Sequence, residues 1–270
     1  MNLTNIVSFL ELDKVDEDEV KHVADRRGFF KQAGDFSMKA ALAALPIALT
    51  LMPKTVKAQT STVVGVLNFA LTLEYLENEF YVMGLAASGL IPSADKAIFM
   101  QISKHETAHV AFLKTALGSS AVAKPTFDFT AKGAFPTAFT DYKTFLTLSQ
   151  AFEDTGVRAY KGQAGNLITD KGTLKAALQI HSVEARHASE VRRLRGDVAA
   201  LSIKGWITGK DSNGAPQASY DGEDNITHAG ASLDSITTLA GVSSSAKTEA
   251  FDEPLTKDQV LAIVSPFIVS

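Results

Sequence analysis

Residues 106–109 read Glu106-Thr107-Ala108-His109, and residues 184–187 read Glu184-Ala185-Arg186-His187. In each stretch a glutamate stands three residues before a histidine, and on an α-helix residues at i and i+3 lie on the same face. Each pair would therefore direct a carboxylate and an imidazole to one point. Both stretches lie within long segments whose apolar residues recur at helical spacing, which predicts two helices that each carry part of one site.

Four segments of the chain show this helical periodicity. The predicted helices cover residues 62–86, 94–117, 141–164 and 173–195. A connection of residues 118–139, with two prolines and two glycines, separates the second helix from the third. Two antiparallel hairpins joined by one long crossover form a variant of the four-helix bundle, so the predicted fold class is all-α.

The ends of these helices are predicted from residues with capping chemistry. Ser93 and Thr140 are expected to cap the second and third helices, because a short hydroxyl side chain satisfies free backbone N–H groups. Gly118 is expected to end the second helix. Basic residues near the end of the fourth helix suit the helix dipole, and Gly196 follows them. They are Arg192, Arg193 and Arg195.

The first and third predicted helices carry a second matched pattern. Tyr81 stands seven residues after Glu74, and Tyr160 stands seven residues after Glu153. Residues at this spacing share one stripe of a helix, and both stripes are otherwise apolar. A carboxylate inside a bundle is costly unless a cation neutralises it. Together with the two Glu-x-x-His pairs, the chain therefore offers four glutamates and two histidines to a buried metal site.

Composition restricts the chemistry of such a site. The chain has 270 residues, a formal net charge of −4, six histidines and no cysteine. The absence of cysteine excludes a disulfide framework, a cysteine-ligated zinc or iron–sulfur site and a thiol nucleophile. The 26 basic residues do not exceed the 30 acidic ones, so no nucleic-acid partner is indicated. Any metal site must use histidine and carboxylate.

This pattern resembles the ligand set of the ferritin-like di-iron and di-manganese carboxylate proteins, in which two helices each give one glutamate and two others each give Glu-x-x-His. Local strings are similar to those of exported ferritin-like proteins, including the type called desiccation-related. The strings are Leu73-Glu74-Tyr75-Leu76-Glu77, His105-Glu106-Thr107-Ala108-His109, Ala151-Phe152-Glu153-Asp154, Glu184-Ala185-Arg186-His187, Phe251-Asp252-Glu253-Pro254-Leu255 and Ile263-Val264-Ser265-Pro266-Phe267. The resemblance covers about residues 62–200 and 251–268 and implies a ferritin-like four-helix bundle.

The resemblance also implies a ligand set and a cofactor. The cofactor would be two Fe or Mn ions, and the residues cannot distinguish the two elements. The implied metal ligands are Glu74, Glu106, His109, Glu153, Glu184 and His187. Of these, Glu74 and Glu153 would be terminal ligands, Glu106 and Glu184 would bridge the ions, and each histidine would bind one ion.

The tyrosines and the activity follow from the same resemblance. Tyr81 and Tyr160 would hydrogen-bond to the ligands or shield the centre. The implied activity is that of a ferroxidase, a peroxidase or a catalase-like oxidoreductase that handles dioxygen or peroxide in stress protection. A homodimer remains one option for the assembly.

Two other functions remain open at this point. Residues 105–109 also match the H-E-x-x-H signature of zinc metalloproteases, with Glu106 as the general base, although this interpretation leaves Glu74 and the second Glu-x-x-His without a role. The other alternative is a metal-binding envelope protein for desiccation stress that has no turnover.

Neighbouring polar residues are expected to have ordinary roles. Glu77 and Glu79 should be solvated, with Glu77 as the substitute if Glu74 is not a ligand. His105 and His181 each stand near a predicted ligand; surface or packing roles are expected for them, with support of that ligand as the alternative. His228 is expected to be incidental.

The first 58 residues have the pattern of an export signal. Arg26-Arg27-Gly28-Phe29-Phe30-Lys31 precedes an apolar run over residues 40–52, which is too short to span a membrane. Small residues at Val56 and Ala58 favour cleavage after Ala58. The segment resembles a twin-arginine (Tat) signal, which implies the Tat machinery as a partner and a periplasmic or extracellular protein without a membrane span in the mature chain. An amphipathic helix packed on the domain is the alternative.

The sequence thus divides into three predicted parts. They are a leader of residues 1–58, a bundle of residues 59–200 and a loop-rich extension of residues 201–270. Within the extension, Trp206 is expected to be the anchor, and Thr256 is expected to cap a short terminal helix.

Overall fold

The computed structural model describes residues 61–269, and the predictions about the leader of residues 1–58 lie outside these residues. Four long helices are present: α1 (Ser61–Ala86), α2 (Lys96–Leu117), α3 (Tyr142–Gln163) and α4 (Lys171–Ala199). Helix α1 packs along α2, α3 packs along α4, and α1 also contacts α3. Residues 118–141 connect the two hairpins, so the predicted ferritin-like four-helix arrangement is confirmed.

Aspartates, and not the predicted hydroxyl residues, precede α2 and α3. Asp95 occupies the N-terminal position of α2, without a side-chain capping bond. Asp141 caps α3, because its carboxylate accepts a hydrogen bond from the backbone N–H of Thr144 at 2.8 Å. The caps predicted at Ser93 and Thr140 are therefore wrong by one or two residues. Gly118 ends α2 at a φ of 56°, as predicted.

The remaining elements are short. A hairpin of two-residue strands, β1 (Thr227–His228) and β2 (Ala231–Ser232), is followed by α5 (Ser244–Thr248) and α6 (Lys257–Val264). Single turns of 3₁₀-helix lie at Gly118–Ser120, Ala164–Leu167, Gln217–Ser219, Leu233–Ser235, Thr237–Leu239 and Ser265–Phe267. Thr256 and Gln259 form a reciprocal capping box at the start of α6, which confirms the predicted cap.

The apolar core of the bundle has two large clusters, and a small third cluster around Tyr220 joins α3 to the extension. The aromatic cluster contains Phe80, Phe99, Phe145, Phe152 and Phe267, and the aliphatic cluster contains Val63, Leu67, Leu71, Leu113 and Ile180. On α2 and α4 the predicted metal-site residues lie between the stretches that feed the two large clusters, and on α1 and α3 residues of the aromatic cluster lie on both sides of the glutamate. The site is therefore sealed by apolar side chains on both sides.

The crossover is fixed to the C-terminal tail. Phe127 and Ile268 form an isolated antiparallel bridge. The backbone N–H of Asp128 donates to the carbonyl oxygen of Phe267 at 2.8 Å, and that of Val269 donates to Thr126 at 2.9 Å. The tail thus covers the aromatic end of the bundle and joins its two hairpins.

The prediction that Arg192, Arg193 and Arg195 lie in the last turn of the fourth helix and suit its dipole is wrong. Helix α4 continues through Gly196 to Ala199, and two of its arginines are buried. Arg192 forms an ion pair with Asp154, and Arg195 donates to the side-chain oxygen of Gln150 at 2.9 Å. These side chains therefore bind residues of α3 and do not serve to balance the dipole at the end of α4.

Tyr220, and not Trp206, anchors the extension. Trp206 is 51% exposed, whereas Tyr220 is fully buried. Arg158 on α3 holds the same segment, since it donates to the carbonyl oxygen of Ser219 at 2.7 Å and pairs with Glu223 at 2.9 Å. None of the helices within residues 61–269 is both long and apolar enough to cross a bilayer.

Candidate metal centre

The six residues predicted as ligands lie together in the middle of the bundle. All four glutamates are fully buried, and the side chains of His109 and His187 are only 11% and 6% exposed. Their nitrogen and oxygen atoms form two groups, in each of which the ligand atoms lie within 4.8 Å of one another. The groups are Glu74, Glu106, His109 and Glu184, and Glu106, Glu153, Glu184 and His187.

The first group surrounds Nδ1 of His109. This atom lies 3.2 Å from Oε2 of Glu74, 3.2 Å from Oε2 of Glu106 and 3.0 Å from Oε1 of Glu184. Glu106 reaches it because it stands three residues earlier on the same helix. Glu184 comes from α4, in the other hairpin, so the group depends on the docking of both hairpins.

The second group surrounds Nδ1 of His187 in the same way. This atom lies 3.2 Å from Oε2 of Glu153, 3.0 Å from Oε1 of Glu106 and 3.5 Å from Oε2 of Glu184. Glu106 and Glu184 therefore each present one oxygen to each group. Glu74 and Glu153 each contact one group only.

The two tyrosines bind the remaining oxygens of these outer glutamates. Tyr81 on α1 donates its hydroxyl proton to Oε1 of Glu153 on α3, and Tyr160 on α3 donates to Oε1 of Glu74 on α1, both at 2.5 Å. Each tyrosine thus bonds to the carboxylate that stands on the opposite helix. The hydrogen bonds fix the two carboxylates with their free oxygens directed at the histidines.

The two histidines cannot satisfy every oxygen of the central glutamates, because each Nδ1 carries at most one proton and faces three carboxylate oxygens. Within residues 61–269, Oε1 of Glu106 and both side-chain oxygens of Glu184 are buried without a hydrogen-bond partner. Buried carboxylate oxygens are expensive to leave unpaired, and a cation satisfies them. Imidazole and carboxylate are ligands that suit iron and manganese, so this donor set fits a pair of such ions.

Charge in the centre shifts the acidity of its groups. Burial alone would lower the pKa of His187, but the carboxylates of Glu153, Glu106 and Glu184 raise it to about 12. Burial raises the pKa of Glu153 to about 7, against the opposing effect of His187. Burial, followed by the charge of Glu184, also raises the pKa of Glu106. Without a cation, the two imidazoles therefore hold protons that partly balance the carboxylates.

The family model of the ferritin-like domain matches residues 62–197, which span all four long helices up to the last turn of α4. The chain belongs to the ferritin-like domain family. No curated protein matches the chain. The candidate centre of this ferritin-like domain is a buried group of glutamates and histidines that could hold metal.

The ferritin-like domain also buries a fifth glutamate, which the sequence analysis placed in solvent. Glu77 is only 3% exposed. Burial, followed by the charges of Glu184 and Glu153, raises the pKa of its carboxyl well above the usual range. Gly156 on α3 makes room for it, because a Cβ there would lie 3.0 Å from Oε1 of Glu77. In the sequence, the one indication that a side chain packs closely against α3 at this point is the presence of Gly156 inside a helix.

Of the other histidines, His105 takes the role that the sequence analysis gave as the alternative. Its Nδ1 lies 2.8 Å from Nε2 of His187, so it contacts a ring of the candidate centre. His181 is partly buried, and His228 stacks on Phe251 with ring centroids 3.7 Å apart. His105 is excluded from both groups of ligand atoms.

An apolar cavity lies next to the centre in the aliphatic end of the bundle. Its lining includes Ala70, Leu113 and Ile180, each one helical turn from a residue of the centre. Tyr160 also lines this cavity, and its hydroxyl binds Glu74. An apolar space of this kind admits small apolar molecules more readily than water.

Proposed function

We propose that this ferritin-like domain binds two iron or two manganese ions in one centre and uses them to reduce dioxygen or peroxide. The observation that carries the proposal is the arrangement of Glu106 and Glu184, each of which presents one oxygen to the His109 group and one to the His187 group. A single-ion site has no use for two carboxylates shared in this way.

The residues divide the work of the centre between them. Glu74, Glu153 and the two histidines would each hold one ion, while Glu106 and Glu184 would hold both. Iron or manganese bound there would supply the electrons that dioxygen or peroxide accepts. Tyr81 and Tyr160 keep the outer carboxylates in place, and the apolar clusters keep bulk water away. The apolar cavity beside Tyr160 has room for one molecule about the size of water or dioxygen.

The zinc protease interpretation is not favoured by the position of His105. In a zincin both histidines of H-E-x-x-H bind one ion. Here Nδ1 of His105 contacts His187 on α4, while Nδ1 of His109 faces three carboxylates. The two imidazoles of the motif therefore serve different partners.

We also propose that the chain is exported through the Tat pathway and protects the periplasm or cell exterior under stress, including desiccation. The support is the Arg26-Arg27 pair, the apolar run after it and the small residues before Ala58. Arg26→Lys combined with Arg27→Lys should block export, whereas unchanged secretion would refute the route.

Metal analysis of purified protein is the decisive test of the centre. Two Fe or Mn ions per chain are expected, and one zinc without either would overturn the proposal. Glu153→Ala should remove the Fe or Mn ion beside His187, whereas a zincin would keep its full metal content. Rapid consumption of peroxide or dioxygen by the loaded protein is expected. A full but inert centre would instead support the metal-binding stress protein without turnover.

A further inference from the structure

The two halves of the centre differ around the outer nitrogens of the histidines. Nε2 of His187 lies 2.8 Å from Nδ1 of His105, and the two rings stack with centroids 5.1 Å apart and planes 11° apart. The hydrogen bonds of His109 within residues 61–269 involve Nδ1 only. Within the described part of the chain, one imidazole thus has a fixed side-chain partner on its outer nitrogen, and the other has no such partner.

The sequence explains this difference. His105 stands four residues before His109 on α2 and reaches across to α4. The matching position in the second stretch, four residues before His187, is Val183. A valine side chain cannot donate or accept a hydrogen bond, so it cannot give His109 the contact that His105 gives His187.

The contact controls which nitrogen of His187 can bind a cation. Because Nδ1 of His187 faces the carboxylates, a cation bound there requires the ring proton on Nε2, from which it is donated to Nδ1 of His105. His105 then carries its proton on Nε2, 2.7 Å from the side-chain amide of Gln101. If the exposed amide of Gln101 rotates by 180°, its oxygen accepts the proton on Nε2 of His105. The hydrogen bonds then run from His187 through His105 to Gln101.

We propose that His105 is a positioning residue that holds the tautomer and ring orientation of His187, so that the cation position beside His187 is the tighter of two unequal positions. A hydrogen-bond partner on the outer nitrogen of a metal-binding histidine typically changes metal affinity by about 10–100-fold. The inference rests on the proposed two-ion centre, and Mn²⁺ alone is the probe that tests it.

The first test asks which position fills first. Crystals grown with one equivalent of Mn²⁺ should show stronger anomalous scattering beside His187 than beside His109. Equilibrium dialysis of the full chain should resolve two binding steps that differ by about 10-fold or more. Equal occupancy of both positions, or stronger scattering beside His109, would overturn the inference.

The second test uses variants at the two matched positions. His105→Phe keeps a ring and removes the acceptor, so the tight step should weaken about 10–100-fold and approach the weak one. His105→Gln keeps an acceptor and should recover part of the loss. Val183→His supplies the missing partner and should tighten the weak step. Singly loaded wild type and His105→Phe should also differ in their electron paramagnetic resonance spectra.

The outcomes separate this inference from the proposed function. A wild-type chain that binds no Mn²⁺, or a single ion, would overturn the two-ion centre itself. A wild-type chain that binds two ions, with both steps unchanged in His105→Phe, would overturn only the role of His105. Circular dichroism checks that each variant is folded, and His105→Gln together with the crystals decides the question if His105→Phe is not.

Discussion

The hydroxyl of Tyr81 on α1 lies 2.5 Å from Oε1 of Glu153 on α3 and donates its proton to it. Both side chains are fully buried. The bond joins the two hairpins and fixes the carboxylate whose other oxygen faces His187. It therefore connects the stability of the bundle with the geometry of the candidate centre.

Tyr81→Phe should lower the free energy of unfolding of the metal-free protein by about 1–3 kcal/mol, because it leaves a buried carboxylate oxygen without its donor. Urea unfolding followed by circular dichroism measures the change. Tyr160→Phe is the matched variant and should cost a similar amount, since Tyr160 makes the equivalent bond to Glu74. A loss below about 0.5 kcal/mol in both would show that these hydrogen bonds do not hold the bundle.

Loss of a shared glutamate should remove more metal than loss of an outer one. Glu106→Gln removes the negative charge that both groups share and replaces one of its two facing oxygens with an amide nitrogen, so it should abolish binding of both ions. Glu74→Gln affects the His109 group only and should leave one ion bound beside His187. Elemental analysis after dialysis counts the ions. Glu190→Gln, at an exposed position of α4, should bind as the wild type does. Equal losses in the Glu74 and Glu106 variants would refute the bridging geometry.

Metal affinity should increase with pH. The pKa of His187 in the metal-free centre is raised to about 12 by its carboxylate neighbours, against the effect of burial, so its imidazole holds a proton at neutral pH. The pKa of His109 is raised in the same direction, mainly by Glu106 and Glu184 once burial is overcome. A cation must displace these protons, so binding weakens as pH falls and protons compete more strongly.

Titration calorimetry of Mn²⁺ binding at pH 7, in two buffers with different ionisation heats, measures the proton release. A proton from each imidazole is expected. Burial is the main cause that raises the pKa of Glu153 to about 7. The carboxylate of Glu153 in the metal-free centre therefore also takes up a proton as the pH falls below 7. Binding at pH 7 without net proton release would contradict the charge arrangement described for the centre.

Gly162→Ala should destabilise the fold although alanine favours helices. A Cβ at Gly162 on α3 would overlap the backbone carbonyl oxygen of Leu255 and lie 3.0 Å from its carbonyl carbon. The expected loss from this overlap is about 1–3 kcal/mol, which exceeds the gain of about 0.5–1 kcal/mol from helix propensity. Urea unfolding measures the difference.

The matched control for this variant is Gly65→Ala on α1. A Cβ at Gly65 would meet no atom within 4 Å, so only the helix propensity acts, and a gain of about 0.5–1 kcal/mol is expected. If Gly162→Ala were as stable as the wild type, the segment that contains Leu255 would not pack on α3 as described.

Local patterns in the sequence were sufficient to predict the helices and the gathering of the six candidate ligands. The predicted segment 141–164 differs from Tyr142–Gln163 by one residue at each end. Apolar periodicity encodes where a helix runs, and i, i+3 spacing encodes which side chains share its face. Both signals act within one helix, so neighbouring residues carry them fully.

Contacts between elements were the part that the sequence could not supply. The depth of Glu77 depends on Gly156 of another helix, and the role of His105 depends on the position of α4. The burial of Arg158 likewise depends on backbone carbonyls some sixty residues away in the extension. A charged residue has the same composition and spacing whether it is solvated or packed, so single-sequence patterns cannot distinguish the two cases.

Each hairpin brings only three of the six central residues. The α1–α2 hairpin lacks Glu184 for the His109 group, and the α3–α4 hairpin lacks Glu106 for the His187 group. Neither half can therefore build a complete ion site by itself. Metal that binds only when the two hairpins are docked adds its binding free energy to the free energy of unfolding. Metal would therefore hold the hairpins together, and the stability of the docked bundle would rise with the concentration of free metal.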